Sequence, residues 1–227
     1  FSGPLVSKLL VALASTRKIR SVLDPMGGRG DMLLAAQLNI PGCIRMDGVE
    51  LDPVAHLKGL KAIKVKPDCL SSYLLGNTFD PLIISELCCD GYDLVITNPP
   101  YVRYQTLKES AGISSKLPSA VQVRNGLRDC IQSMVGLDPD DQAAFLCLAD
   151  GYSGLSDLAV PCWILCAALV KPGGTLAMVV PESWMKRDYA ANVRYMLLRW
   201  FKIEYIVEDT HASWFADAQV KTTLLVA

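Results

Sequence analysis

A chain of 227 residues, 51% hydrophobic and 20% charged, is long enough for one α/β domain with a full core and does not require two. A formal net charge of −1 excludes a global pull towards a polyanion, so any basic surface must be local. Eight cysteines without a CxxC pair, with only His56 and His211 as imidazoles, exclude zinc-ligand spacing; runs such as Trp163-Ile164-Leu165-Cys166 read as free thiols in a core, in a reducing, cytoplasmic compartment.

Short β-type runs alternate with helical stretches, which predicts a mainly parallel sheet with helices on its faces. Ile19 to Leu23 reads as a first strand ending in Asp24-Pro25, and the glycine turn Gly27-Gly28-Arg29-Gly30 leads into a helix over Asp31 to Leu38. Ile44 to Leu51 is a second strand, followed by a helix from Pro53. Ile63-Lys64-Val65 reads as a short third strand running into Pro67-Asp68, and Asp93 to Thr97 as a fourth that stops at Asn98-Pro99-Pro100-Tyr101. Gln105 to Asp150 lacks strong periodicity and reads as an insertion loop of the lid or binding-loop kind. Its charge is split: residues 102–128 carry Arg103, Lys108, Lys116, Arg124 and Arg128 against Glu109, whereas residues 129–157 carry six aspartates and no Lys or Arg. The basic half can meet phosphates or simply be solvated.

Leu158 to Val170 is the longest apolar run; it contains Pro161, is too short to span a bilayer and predicts a buried helix. No signal peptide opens the chain, so no membrane attachment is expected. Lys171 to Gly174 turns into a fifth strand, Thr175 to Val180. Ser183 is placed to cap a helix with apolar positions Ala190, Val193, Leu197 and Trp200, and Ile203 to Val207 and Val220 to Val226 supply two last strands.

The first chemical signal is Asp24 to Gly30, at a strand's carboxyl end and opening a helix, where open α/β sheets bind ligands. Glycines there let the backbone approach a ligand closely. Gly28-x-Gly30 matches half of a dinucleotide fingerprint, but Leu33 fills the third glycine position, and a carboxylate at Asp24 suits an ammonium or sulfonium better than a pyrophosphate. Glu50 ends the second strand, 26 positions after Asp24, where an acid can take both hydroxyls of a ribose. Asp68, after the expected third strand, is placed to accept from an adenine amino group. Three acids at three successive strand ends describe a nucleoside that carries a positive charge.

Asn98-Pro99-Pro100-Tyr101 is sharper, since a fixed tetrapeptide arises by chance about once in 10⁵ positions. Two prolines lack amide hydrogens and fix φ, so they hold their carbonyls in a rigid turn. The Asn98 side-chain oxygen and the Pro99 carbonyl can each accept one hydrogen of an aryl amine, a poor nucleophile, and aim its nitrogen for in-line displacement. No general base is needed, because the N–H becomes acidic once methylated. Tyr101 offers a ring face to a planar substrate.

In the order of these segments the chain resembles the N-6 adenine DNA methyltransferases of the gamma arrangement, in which the cofactor motifs precede the NPPY motif. The likeness runs over nearly the whole chain except Gln105 to about Asp150. It implies a Rossmann-like class I methyltransferase fold, doubly wound, with a seven-stranded, mostly parallel sheet and an antiparallel last strand. It also implies S-adenosylmethionine as cofactor, without a metal. The methionine-binding loop then corresponds to Asp24, Met26, Gly28 and Gly30, the ribose site to Glu50 with Leu51 beside it, and the adenine site to Asp68-Cys69. Asn98, Pro99, Pro100 and Tyr101 become the catalytic motif. Phe1-Ser2-Gly3-Pro4, Ser156-Asp157-Leu158 and Val180 to Trp184 resemble further motifs, with Gly3 standing where the family usually has threonine. Phe215, with Trp214 as its neighbour, falls where an aromatic residue packs against a flipped target base.

The resemblance implies that residues 1–227 are a catalytic domain whose DNA binding alone is weak, and that a target-recognition domain or specificity subunit, of the kind restriction-modification systems use, is missing from it. Motifs of the NPPY kind also occur in methyltransferases of RNA bases and of protein glutamines. A non-catalytic cofactor-binding subunit is a third reading, against which the intact Asn98 to Tyr101 argues; a nicotinamide dehydrogenase fits least.

Overall fold

The computed structural model describes residues 3–63, 68–87, 90–101, 118–152, 158–211, 214–215 and 221–227. Among them seven strands form one sheet: β1 (Ser21–Asp24), β2 (Arg45–Glu50), β3 (Leu70–Leu75), β4 (Tyr92–Thr97), β5 (Val170–Pro181), β6 (Tyr205–Glu208) and β7 (Thr222–Val226). Their order is β3-β2-β1-β4-β5-β7-β6. β1 to β5 pair in parallel and β7 runs antiparallel to both β5 and β6. This is the doubly wound α/β architecture that the alternating pattern predicts. The order reverses between β1 and β4, the switch point where such sheets leave a crevice.

Helices α1 (Gly3–Ala14) and α2 (Asp31–Asn39) cover one face with Val6, Leu10, Val11, Met32, Leu33 and Ala36. On the other face lie α5 (Ala120–Ser133), α6 (Pro139–Gly151), α7 (Ala159–Ala168) and α8 (Ala191–Trp200). The two short helices α3 (Pro53–Ala62) and α4 (Pro81–Ser85) each begin on an aspartate cap followed by proline: Asp52 accepts from the Val54 N–H at 3.1 Å and Asp80 from the Leu82 N–H at 2.9 Å. Proline belongs there, because a first-turn residue has no intrahelical use for its N–H. α7 is buried along its whole length, as its apolar run predicts. None of the described helices is long and apolar enough to cross a membrane, and Cys43, Cys69, Cys130, Cys147, Cys162 and Cys166 are free thiols.

Three expectations fail. The third strand is not Ile63-Lys64-Val65: Ile63 closes α3, residues 64–67 lie outside the described residues, and the strand is Leu70–Leu75. That strand is an edge, half-exposed along its length, and Leu-Ser-Ser-Tyr-Leu-Leu lacks the β-branched residues that mark buried strands. The second failure is the insertion loop. Residues 105–117 are outside the described set, but α5 and α6 fill most of the remainder. Ser119 and Gln122 form a reciprocal capping box, and Asp138 accepts from the amides of Asp140 and Asp141, so the polar residues read as loop are helix starts. Part of the split charge is consumed internally: Arg128 pairs with Asp150, Arg124 donates to the Tyr152 carbonyl at 2.7 Å, and Asp141 accepts from the Trp200 indole at 2.7 Å, whereas Arg103, Lys108, Glu109, Lys116 and Asp157 lie outside the described residues. Third, Ser183 caps no helix; its hydroxyl bonds to Tyr189 at 2.8 Å inside two 3₁₀ turns, and α8 begins only at Ala191.

Candidate active site

A cavity of about 500 Å³ opens at the carboxyl edge of the sheet, across the switch point. Turns after β1, β2, β3 and β4 line it, and because β7 is antiparallel its beginning, with Phe215 just before it, joins the same rim.

On the β1 side the chain leaves the sheet at Asp24, whose side chain is only 1% exposed. Burial pushes this carboxyl up to about 7, and the negative charges of Glu50 and Asp31 push the same way. The Met26 N–H at 3.2 Å and the neighbouring Thr97 hydroxyl offset this in part. The Thr97 oxygen lies outside ordinary hydrogen-bond geometry. A buried carboxylate is costly to ionise, and a bound cation would relieve that cost. Gly28 and Gly30 have φ of +58° and +81°, the left-handed region that glycine enters without steric cost. Gly28 and Met26 line the cavity, whereas Gly30 stands behind it as the N-cap of α2 and faces Ile63.

Glu50 lines the cavity with Leu51 beside it. Each carboxylate oxygen holds one backbone amide, Gly28 N–H at 2.7 Å and Asp52 N–H at 2.6 Å, which fixes the carboxylate while each oxygen keeps a second acceptor position.

The corrected third strand moves the third station. Asp68 and Cys69 precede β3, at the opposite edge of the sheet, and neither lines the cavity. In their place the turn Gly76-Asn77-Thr78-Phe79 closes the wall. Asn77 accepts from the Phe79 N–H at 3.0 Å, and α5 supports the turn from behind: a Cβ at Gly126 would lie 2.1 Å from the Phe79 carbonyl oxygen. The readable signal is Asp80-Pro81, a helix start that, in an alternating α/β chain, points to a strand before it.

Across the switch point, Asn98, Pro99, Pro100 and Tyr101 all line the cavity. The Tyr101 hydroxyl lies 2.5 Å from Asn98 Oδ1 and 2.7 Å from the carbonyl of Val179 on β5. This tie between the asparagine and the next strand has no sequence signature. Phe215 stands in the wall with Pro118, Leu158, Cys162 and Thr222, and its neighbour Trp214 does not. Burial in apolar surroundings drives the Cys162 thiol far up, so it is an inert wall residue. Val102-Arg103, Ser156-Asp157 and Phe1-Ser2 lie outside the described residues; among the described residues there is no cluster of potential metal ligands. Of the basic residues around α8, Arg194 donates to the carbonyls of Trp184 and Arg187, both at 2.8 Å, and Lys186 pairs with Glu182.

The fold is that of class I methyltransferases. It is similar to a Listeria monocytogenes protein assigned to the class I S-adenosylmethionine-dependent methyltransferases, with TM-score 0.65 and 18% identity over 98% of this chain and 58% of that one. The DrdV–DNA complex gives TM-score 0.72 at 13% identity, over all of this chain and 26% of that one. The methyltransferase subunit of a type I restriction-modification system from Streptococcus thermophilus gives 0.63 at 16%, over all of this chain and 43% of that one. The model of the Eco57I restriction-modification methylase family matches residues 84–215, and the chain belongs to that family. Among curated proteins it is 22% identical over 200 residues to the type II methyltransferase M.XamI of Xanthomonas campestris pv. amaranthicola. The match takes in 86% of this chain and 32% of that protein, so the chain spans about a third of the relative's length.

Proposed function

We propose that the chain transfers a methyl group from S-adenosylmethionine to the exocyclic amino group of adenine in DNA, as the catalytic part of a restriction-modification system. The observation that carries this reading is a single cavity with the buried Asp24 carboxylate at one end and the Asn98-Pro99-Pro100-Tyr101 turn at the other. The cofactor supplies an electrophilic methyl on a cationic sulfur. The residues present fit it: Asp24 supplies negative charge near the methionine end, Gly28 keeps the turn free of side chain, and Glu50 holds acceptor positions for two ribose hydroxyls. The Asn77 to Phe79 turn replaces Asp68 and Cys69 as the site of the cofactor's adenine, with the Phe79 ring as an apolar surface.

On the acceptor side Asn98 Oδ1 and the Pro99 carbonyl take the two amino hydrogens and orient the nitrogen lone pair for in-line attack. Transfer in this arrangement would exchange the cofactor's C–S bond for a new N–C bond, and the amino nitrogen, held by Asn98 and Pro99, would release its surplus proton to solvent. Tyr101 and Phe215 offer aromatic surfaces to a base taken out of its stack. DNA affinity and sequence choice would come from a target-recognition domain or specificity subunit.

The test is transfer of radiolabelled methyl onto adenine-containing DNA, the same sequence as RNA, adenine-free DNA, and a glutamine peptide, with the relevant recognition partner present. Label on the adenine N6 of DNA is expected. Label on RNA or on the peptide alone would reassign the acceptor, and cofactor binding without any transfer would leave a non-catalytic subunit.

A further inference from the structure

Tyr73, on the edge strand β3, reaches across to the glycine turn after β1: its hydroxyl donates to the Gly28 carbonyl at 2.9 Å. The N–H of the same glycine is held by Glu50 at 2.7 Å, so Gly28 is gripped at both of its backbone polar groups. The Tyr73 ring sits in a slot cut by three glycines from three different segments. A Cβ would lie 2.5 Å from its Oη at Gly27, 2.6 Å from its Cδ2 at Gly48, and 2.5 Å from its Cε1 at Gly59. Separations that short do not occur, so these positions are glycine because the ring passes there. His56 stacks parallel to the ring at 5.2 Å between centroids, and its Nε2 lies 2.7 Å from the Tyr73 carbonyl oxygen. Ring, slot and stacking partner leave the hydroxyl little freedom except to meet Gly28.

We propose that Tyr73 is a positioning residue for the cofactor: its hydroxyl, opposite Glu50, holds Gly28 in the left-handed conformation that presents the turn to the methionine end. The proposal rests on the reading of this turn as part of the S-adenosylmethionine site. It assigns Tyr73 no contact with the ligand. The hydroxyl acts through a turn whose other backbone ties, Gly27 N–H to the Val49 carbonyl and Gly30 N–H to the Gly27 carbonyl, both at 2.8 Å, leave the Gly28 carbonyl to Tyr73.

Tyr73→Phe keeps the ring, the slot and the stacking, and removes one hydrogen bond. Calorimetric titration should show S-adenosylmethionine binding weakened about fivefold, the effect of one such bond. Binding of 5′-methylthioadenosine, which keeps the nucleoside and lacks the amino-acid end, should stay within twofold. In turnover, KM for the cofactor should rise by the same factor with kcat unchanged. Equal affinity of Tyr73→Phe and wild type for S-adenosylmethionine overturns the proposal, and so does an equal loss for both ligands, which would mark a general loosening of the sheet. A wild-type protein that binds neither ligand overturns the underlying cofactor reading and this proposal with it. Normal wild-type binding with an unaffected Tyr73→Phe removes this proposal alone.

Discussion

The cavity has two walls of different electrical character. The wall built from the turns after β1 and β2 carries Asp24, Arg29, Asp31, Glu50 and Asp52, and its polar contacts include carboxylates gripping backbone amides. The wall built from segments after β4 is Asn98, Pro99, Pro100, Tyr101, Pro118, Leu158, Cys162, Phe215 and Thr222, without a formal charge among the described residues. A ligand that bridges the two walls meets fixed negative charge at one end and carbonyl dipoles with ring faces at the other. Charge selects a cation at a distance, whereas dipoles and rings select a neutral planar group only at contact. The difference between the walls is therefore a statement about two different reactants.

The largest expected effect tests the uncharged wall. Asn98→Ala should lower kcat by roughly 10²–10³, the loss typical of one preorganised dipole at a reacting centre, and leave cofactor affinity within about tenfold. Single-turnover rates beside titration calorimetry separate the two. An equal loss in both quantities would mean that the walls are not functionally distinct. Next in size, Glu50→Ala should weaken cofactor binding by roughly 10- to 100-fold, since it removes charge-assisted acceptors. Its kcat at saturating cofactor should fall much less. Glu50→Gln, which retains one acceptor oxygen, should lie between the two.

The contrast also explains what the sequence makes legible. Asp24, Glu50 and Asn98 announce themselves because strand ends followed by Gly or Pro turns are local signals, and the structure places all three on one cavity. The third station was misplaced because β3 is a half-exposed edge, Leu-Ser-Ser-Tyr-Leu-Leu, in which neither alternation nor β-branching survives. The misplacement carried Asp68 and Cys69 to the far edge of the sheet. α5 escaped detection for a related reason. Its apolar residues Val123, Leu127, Cys130 and Ile131 do recur at helical spacing, but Gly126, required by the close approach of the Phe79 carbonyl, sits in mid-helix among polar residues and disguises the stripe as loop. Contacts such as Tyr73 to Gly28 and Tyr101 to Asn98 depend on tertiary proximity, which no local pattern encodes.

A pH experiment probes the charged wall with a smaller expected effect. The Asp24 carboxyl is raised by burial to about 7 from 3.8. The unfolded chain therefore ionises first, so the contribution of Asp24 to folding stability declines as pH rises from about 4 to about 7 and is level above that. Cofactor binding has the opposite sign, because a cation favours the ionised carboxylate. Affinity should rise with pH to a plateau above about 7, and at pH 6 it should be about tenfold below that plateau, where roughly a tenth of the sites are ionised. Asp24→Asn should bind more weakly and without this slope. A wild-type profile that is flat between pH 5.5 and 8 would remove Asp24 as the cation's partner.

The smallest effect returns to the uncharged wall. Thr222, 1% exposed at the start of β7, has a hydroxyl with no hydrogen-bond partner among the described residues. Valine has nearly the same shape, so Thr222→Val deletes a buried polar atom that makes no bond and should stabilise the fold by up to about 1 kcal/mol, or roughly 2–4 °C in melting temperature. If this wall recognises its reactant through Asn98, the Pro99 carbonyl and aromatic surface alone, methyl transfer should stay within twofold. A more stable but tenfold slower Thr222→Val protein would mean that the hydroxyl finds its missing partner on the acceptor. The uncharged wall would then read hydrogen-bonding pattern as well as shape.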